Sequence, residues 1–192
     1  MLYVRYIAWI ACSVYCTIPA FWLAIHPFAA RWRRRGRDAY NLLLPLWALF
    51  IAVAAGLTYP ALHHTLYDSP LALIPGAALI AFGFFVYSRS FDGFNRIKVS
   101  GLSELEPDRH EQFLVTSGIR SRIRHPLYLG HLLEVLGWCV ATGSISLFAL
   151  AGFAVVSGAL MLQMEDRELE SRFGEAYREY RRRVPAIVPR AF

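Results

Sequence analysis

The sequence predicts an all-α integral membrane protein: five transmembrane helices, the last two a tight hairpin, followed by a cytoplasmic amphipathic C-terminal helix. Three observations carry this expectation. The 192 residues are 56% hydrophobic and 18% charged, less charge than a soluble domain carries. The apolar residues gather in charge-free runs long enough to cross a bilayer. Nineteen of the twenty Lys and Arg residues fall in three segments outside those runs.

The first apolar run covers residues 6–30, interrupted by Pro19, His26 and Pro27. It exceeds the apolar core of a signal peptide and ends without a small-x-small cleavage pattern, so it reads as a retained span. A basic turn follows, Arg31-Trp32-Arg33-Arg34-Arg35-Gly36-Arg37. Residues 42–62 form the second run, and the connector 63–70 carries no Lys or Arg. Residues 71–88 form the third, just long enough to cross. The polar segment 89–125 contains Gly101, Pro107 and Gly118 and reads as loop with short surface helix. Residues 127–143 and 145–164 are the fourth and fifth spans, parted by Gly143-Ser144 alone, which requires a tight hairpin. In the charged tail, Leu169, Phe173, Ala176, Tyr177, Tyr180 and Val184 recur at helical spacing. Glu168–Arg172 and Glu179–Arg183 are i,i+4 pairs on the other face. Val184-Pro185 ends that helix.

Segments 31–38, 89–125 and 165–192 hold five, seven and seven basic residues. Five crossings place all three on one side, which the positive-inside rule makes cytoplasmic. The net charge of +6 is therefore topological, and nucleic acid is not an expected partner. Cys12, Cys16 and Cys139 lie inside apolar runs and read as small core residues, with neither a disulfide framework nor a metal expected. Gly83, Gly137, Gly152 and Gly158 suit close helix packing in lipid. There is no internal repeat, and the whole chain, 1–192, reads as one membrane domain.

Four features exceed the background of a membrane anchor. The first is Arg124-His125-Pro126-Leu127-Tyr128-Leu129-Gly130, where basic sequence gives way to apolar. Pro126 suits the first turn of a helix and pushes His125 out of helical geometry. Such a helix start attracts an anion, and it would lie at the membrane surface with Arg124 and His125 beside it; the alternative is a capped membrane helix with a snorkelling arginine. The second is His131 with Glu134, one turn apart inside the fourth span, where ionisable groups are costly and by default functional. The third is Glu165-Asp166, which the hairpin returns close to His125; an anion-attracting helix start facing two carboxylates suits a zwitterionic or cationic small molecule. The fourth is the small-residue turn Leu114-Val115-Thr116-Ser117-Gly118-Ile119.

Taken in order with Phe173-Gly174-Glu175-Ala176-Tyr177-Arg178-Glu179-Tyr180 and Arg183-Val184-Pro185, these residues resemble the isoprenylcysteine carboxyl methyltransferase family. The related phospholipid methyltransferases share part of the pattern. The resemblance covers about residues 112–190. It implies methyl transfer from S-adenosylmethionine at the cytoplasmic face to a lipidic or prenyl-type acceptor. By position, Gln112, Leu114 and Val115 would line the cofactor site from the loop. His125, Pro126, Leu127 and Tyr128 would hold it at the helix start, and Glu165 from the end of span five. Arg124 and Glu134 are the candidate catalytic residues. Two positions depart from the prenylcysteine pattern: Met161 stands where those enzymes carry a substrate-holding arginine, and Arg120 where they carry an aromatic. Two other readings remain open on the sequence. Membrane sterol reductases share an Arg-His-Pro-x-Tyr start and bind NADPH. A small transporter would use His131 and Glu134 as a proton relay.

Overall fold

A computed structural model describes residues 1–91, 105, 106, 109 and 113–188. Every regular element among them is helical: α1 Leu2–Tyr15, α2 Ile18–Leu23, α3 Ala29–Arg33, α4 Tyr40–Thr58, α5 Leu73–Arg89, α6 Pro126–Thr142, α7 Ile145–Phe173 and α8 Glu175–Arg183. Among the described residues, four helical stretches are long and apolar enough to cross a membrane, namely Leu2–Arg33, Gly36–Ala61, Pro70–Arg89 and Ile145–Phe173. Helix α6, with 17 residues, is shorter than these, which is why the expected count of five exceeds four.

The first span is broken rather than continuous. Helix α1 stops at Tyr15, and α2 begins at Ile18 with Pro19 in its first turn, because proline cannot donate the backbone bond that would carry α1 onward. The Thr17 hydroxyl donates to Ser13 O and Val14 O across the break. Cys12, Cys16 and Cys139 are buried in one apolar cluster with Ala8, Leu62, Val135 and Leu147, the core role expected of them.

Helices α5 and α6 form the most extensive pair and run antiparallel. A Cβ on Gly76 would meet Gly137 O at 2.7 Å, and one on Gly83 would meet Gly130 O at 2.8 Å. Glycine at all four positions lets the backbones approach closely. Gly83 and Gly137 thus have the packing role expected, whereas Gly152 has nothing within 4 Å and Gly158 meets only Pro19, at 3.9 Å. Those two lie on α7, away from the close pair.

The α6–α7 hairpin is as tight as expected. Gly143 turns the chain at φ +63°, in the left-handed region. Helix α7 continues past the expected end of the fifth span to Phe173, and Gly174 at φ +56° breaks it from α8. The charged tail is therefore two helices with a corner. Tyr177, Tyr180 and Val184 pack with Leu169, Phe173 and Leu114 as one cluster; Ala176 is exposed. The i,i+4 ion pairs form, Arg172–Glu168 at 3.3 Å and Arg183–Glu179 at 3.6 Å.

The basic segments meet at one end of the bundle. Arg33 pairs with Glu168 at 2.9 Å, and Arg124 with Asp166 at 2.8 Å. Arg120 is buried, donates to Ser90 O, and its own carbonyl accepts from the Tyr180 hydroxyl at 2.7 Å. The remaining basic residue, Arg5, pairs with Asp68 at 2.8 Å.

Candidate active site

The start of α6 is built as its sequence requires. His125 is the N-cap, with φ −117° and ψ 60°, and Pro126 is the first helical residue. Without an N–H on Pro126, the donors of Leu127 and Tyr128 are the first in the helix, with no intrahelical acceptor. Two backbone bonds strap the chain end across this start: Arg124 N to Pro185 O at 2.9 Å and His125 N to Ala186 O at 3.0 Å. Proline at 185 ends α8 and frees its carbonyl for this contact.

The hairpin brings Glu165 and Asp166 back to His125. Asp166 Oδ1 lies 3.0 Å from His125 Nε2 and accepts the Tyr177 hydroxyl; Oδ2 accepts Arg124 Nη2 at 2.8 Å. Its bonding capacity is largely used. Glu165 differs. Its Oε2 lies 3.3 Å from His125 Nδ1, yet is buried and lacks a hydrogen-bond partner. Arg124 Nε is likewise buried and unpartnered. One anionic acceptor and one cationic donor are thus left open, as a zwitterionic ligand requires.

Burial works against a charge on His125, but Glu165 and Asp166 more than offset it, and its pKa is lifted to about 9. His125 is therefore an imidazolium at neutral pH. Burial and the bond to Asp166 push Tyr177 well above the usual phenol range. Burial lowers Arg120.

The expected site residues separate into two groups. Arg124, His125, Pro126 and Glu165 converge here, and Tyr128 stands with its ring 6.2 Å from that of His125. Arg124, expected at the membrane surface, is buried instead: its side chain is 6% exposed, clamped on Asp166 and bonded to Val184 O and Arg181 O at the end of α8. The carbonyls at a helix end, together with a carboxylate, hold it inside. Leu114 packs on the Tyr177–Tyr180–Val184 cluster, Val115 is buried and Leu127 is half-buried. Gln112 lies outside the described residues. Glu134 is not part of the His125 cluster; it sits deeper along α6, over Gly83, with Oε2 3.9 Å from His131 Nδ1.

Sequence reading undervalued three residues. Asp166 organises the cluster, although it stood only as half of an acidic pair. Tyr177 belongs by its spacing to the apolar face of the tail helix, yet its hydroxyl reaches Asp166. His26 is buried, stacks on Trp22 at 5.4 Å and interacts electrostatically with Glu165 and His125. An ionisable residue interrupting an apolar run was the available signal for His26.

Residues 71–176 match the family model described as phospholipid methyltransferase, and the chain belongs to that family. It is 38% identical over 111 residues to methanethiol S-methyltransferase 2 of Bradyrhizobium diazoefficiens, covering 58% of this chain and 38% of that protein. It is 44% identical over 84 residues to the cobalt-zinc-cadmium resistance protein CzcN of Cupriavidus metallidurans (43% and 38%). Over 82 residues it is 35% identical to protein-S-isoprenylcysteine O-methyltransferase of Schizosaccharomyces pombe (41% and 34%). The chain thus spans no more than 38% of the length of these curated relatives. No solved structure matches it significantly.

Proposed function

We propose that this protein is an S-adenosylmethionine-dependent membrane methyltransferase. Its donor site lies between the start of α6, the end of α7 and the strap after α8, and its acceptor is a lipidic or small molecule reached from the bilayer. The observation that carries this reading is the buried Glu165 Oε2, which faces the His125 imidazolium at 3.3 Å and has no hydrogen-bond partner. S-adenosylmethionine, when bound, supplies an electrophilic sulfonium methyl group. Glu165 takes its ammonium or ribose hydroxyls, and the α6 start with Arg124 takes its carboxylate. Asp166 and Tyr177 hold His125 and Arg124 in place. Gln112, Leu114, Val115, Pro126, Leu127 and Tyr128 complete the walls, and α8 with its strap excludes water. Positioning supplies most of the catalysis in such a displacement. The family and the named activities of two relatives support the reading.

The same proposal takes α6 as a fifth crossing, since about 17 residues reach across the hydrocarbon core. It also places the shared basic end, and with it the donor site, on the cytoplasmic side. Calorimetric titration of the detergent-purified protein with S-adenosylhomocysteine tests the function. Saturable binding is expected, weakened at least about tenfold, or ~1.4 kcal/mol, in Glu165→Ala. Folded protein that binds none removes the methyltransferase reading.

A further inference from the structure

A cavity of about 200 Å³ lies between the α1–α2 break, α6 and α7. It adjoins the donor site: Tyr128 lines it, and so does Ile187 from the strap that crosses the α6 start. Tyr15, Pro19, Val135 and Met161 form apolar walls, and Gly158 leaves open the space beside Pro19. The lining contains no Lys, Arg, Asp or Glu. Its one ionisable group near neutrality is His131.

That imidazole is held, not loose. The rings of Tyr15 and Tyr87 flank it at 5.1 Å each, edge-on and tilted. Glu134, which does not line the cavity, stands behind it with Oε2 3.9 Å from Nδ1, and Nδ1 has no hydrogen-bond partner. Neither residue takes part in the His125 cluster, so the donor site does not account for them.

The lining selects the chemistry of an occupant. A carboxylate or phosphate would be stripped of water with no cation to meet it, and an ammonium with no carboxylate in the wall. A thiol behaves as a small hydrophobe and enters without that cost. It is a weak nucleophile until it loses its proton. An apolar cavity of about 150 Å³ holds benzene, so a cavity of this size takes a short-chain thiol.

We propose that this cavity binds a small neutral thiol and that His131, backed by Glu134, accepts the thiol proton during methyl transfer. The thiol sulfur forms the new S–CH3 bond as the sulfonium C–S bond breaks, its electron pair remaining on the donor sulfur. The S–H proton passes to the His131 ring, and the imidazolium is stabilised by the Glu134 carboxylate before releasing the proton to water. Glu134 is thereby a positioning residue and His131 a catalytic one. The inference rests on the methyltransferase reading.

The test uses the full chain in detergent with S-adenosylhomocysteine, S-adenosylmethionine and alkanethiols from propanethiol to dodecanethiol. Calorimetry on the protein–S-adenosylhomocysteine complex is expected to show propanethiol binding, lost in Gly158→Leu. His131→Asn and Glu134→Gln keep their S-adenosylhomocysteine affinity, which shows that they are folded. His131→Asn is expected to lose about 100-fold or more in thiol methylation at pH 7. The loss shrinks as pH rises and the thiol ionises unaided; a purely structural defect would not recover. A wild-type protein that binds S-adenosylhomocysteine but neither binds nor methylates short thiols overturns this inference and leaves the methyltransferase reading standing. Equal rates and pH profiles for wild type and His131→Asn overturn the role of His131. Should wild type fail to bind S-adenosylhomocysteine, both fall.

Discussion

The two ends of the α6–α7 hairpin solve the same problem in opposite ways. At the turn, neutral groups close the structure. Leu66 N donates to Gly143 O at 2.8 Å and Ile145 N to His64 O at 2.9 Å. Ser144 Oγ donates to Leu62 O, Ser146 Oγ to Thr58 O, and the Tyr67 hydroxyl to Val140 O. Each such bond contributes about 1 kcal/mol net. At the other end, Arg124, His125, Glu165 and Asp166 put charges under the strap, and one carboxylate oxygen and one guanidinium nitrogen have no hydrogen-bond partner. The turn closes on neutral backbone and hydroxyl bonds, whereas the charged end keeps buried polar atoms without a hydrogen-bond partner.

Substitutions that attack the two ends separately sharpen this contrast. The largest effect is expected for Asp166→Asn, which leaves Arg124 and His125 buried against a neutral amide. Loss of about 3–5 kcal/mol in stability, measured by thermal unfolding in detergent, should accompany loss of S-adenosylhomocysteine binding. Gly143→Ala attacks the turn: its Cβ would meet Tyr67 O at 2.5 Å on a backbone at φ +63°. A cost of about 1–3 kcal/mol is expected, with S-adenosylhomocysteine affinity unchanged; a change in affinity would mean that the ends are coupled.

Alkaline pH probes the charged end alone. The pKa of His125 is raised to about 9, above the ordinary value of about 6.5. Its stabilisation is therefore full below about 6.5 and fades as pH rises through 9, by about 3 kcal/mol in all. Unfolding scans from pH 6 to 10 should show this decline in the wild type and a flatter profile in His125→Gln. Identical slopes would place the imidazolium elsewhere. The smallest effect belongs to neither end. Gly152→Ala on α7 meets nothing within 4 Å and is expected to stabilise by about 0.5–1 kcal/mol, with binding unaltered.

Much of this molecule was legible in its residues. Apolar runs and their turn residues located the helices, because burial in lipid and backbone geometry act locally. Pro126 set the start of α6, Gly143-Ser144 forced the hairpin, and the hairpin brought Glu165 and Asp166 back to His125. The break at Thr17 and the corner at Gly174 were less plain, since Pro19 and Gly174 permit a continuous helix as well as an interrupted one. Tertiary structure alone decided which of two adjacent carboxylates is saturated. Asp166 faces Arg124 and Tyr177, and Glu165 is left open, because neighbouring residues on a helix point about 100° apart. It also decided that Arg124 is buried, that His131 walls a cavity while Glu134 stands behind it, and that Gly76 and Gly130 share the close α5–α6 contact. Those outcomes depend on which faces of distant helices meet, and no local pattern records that.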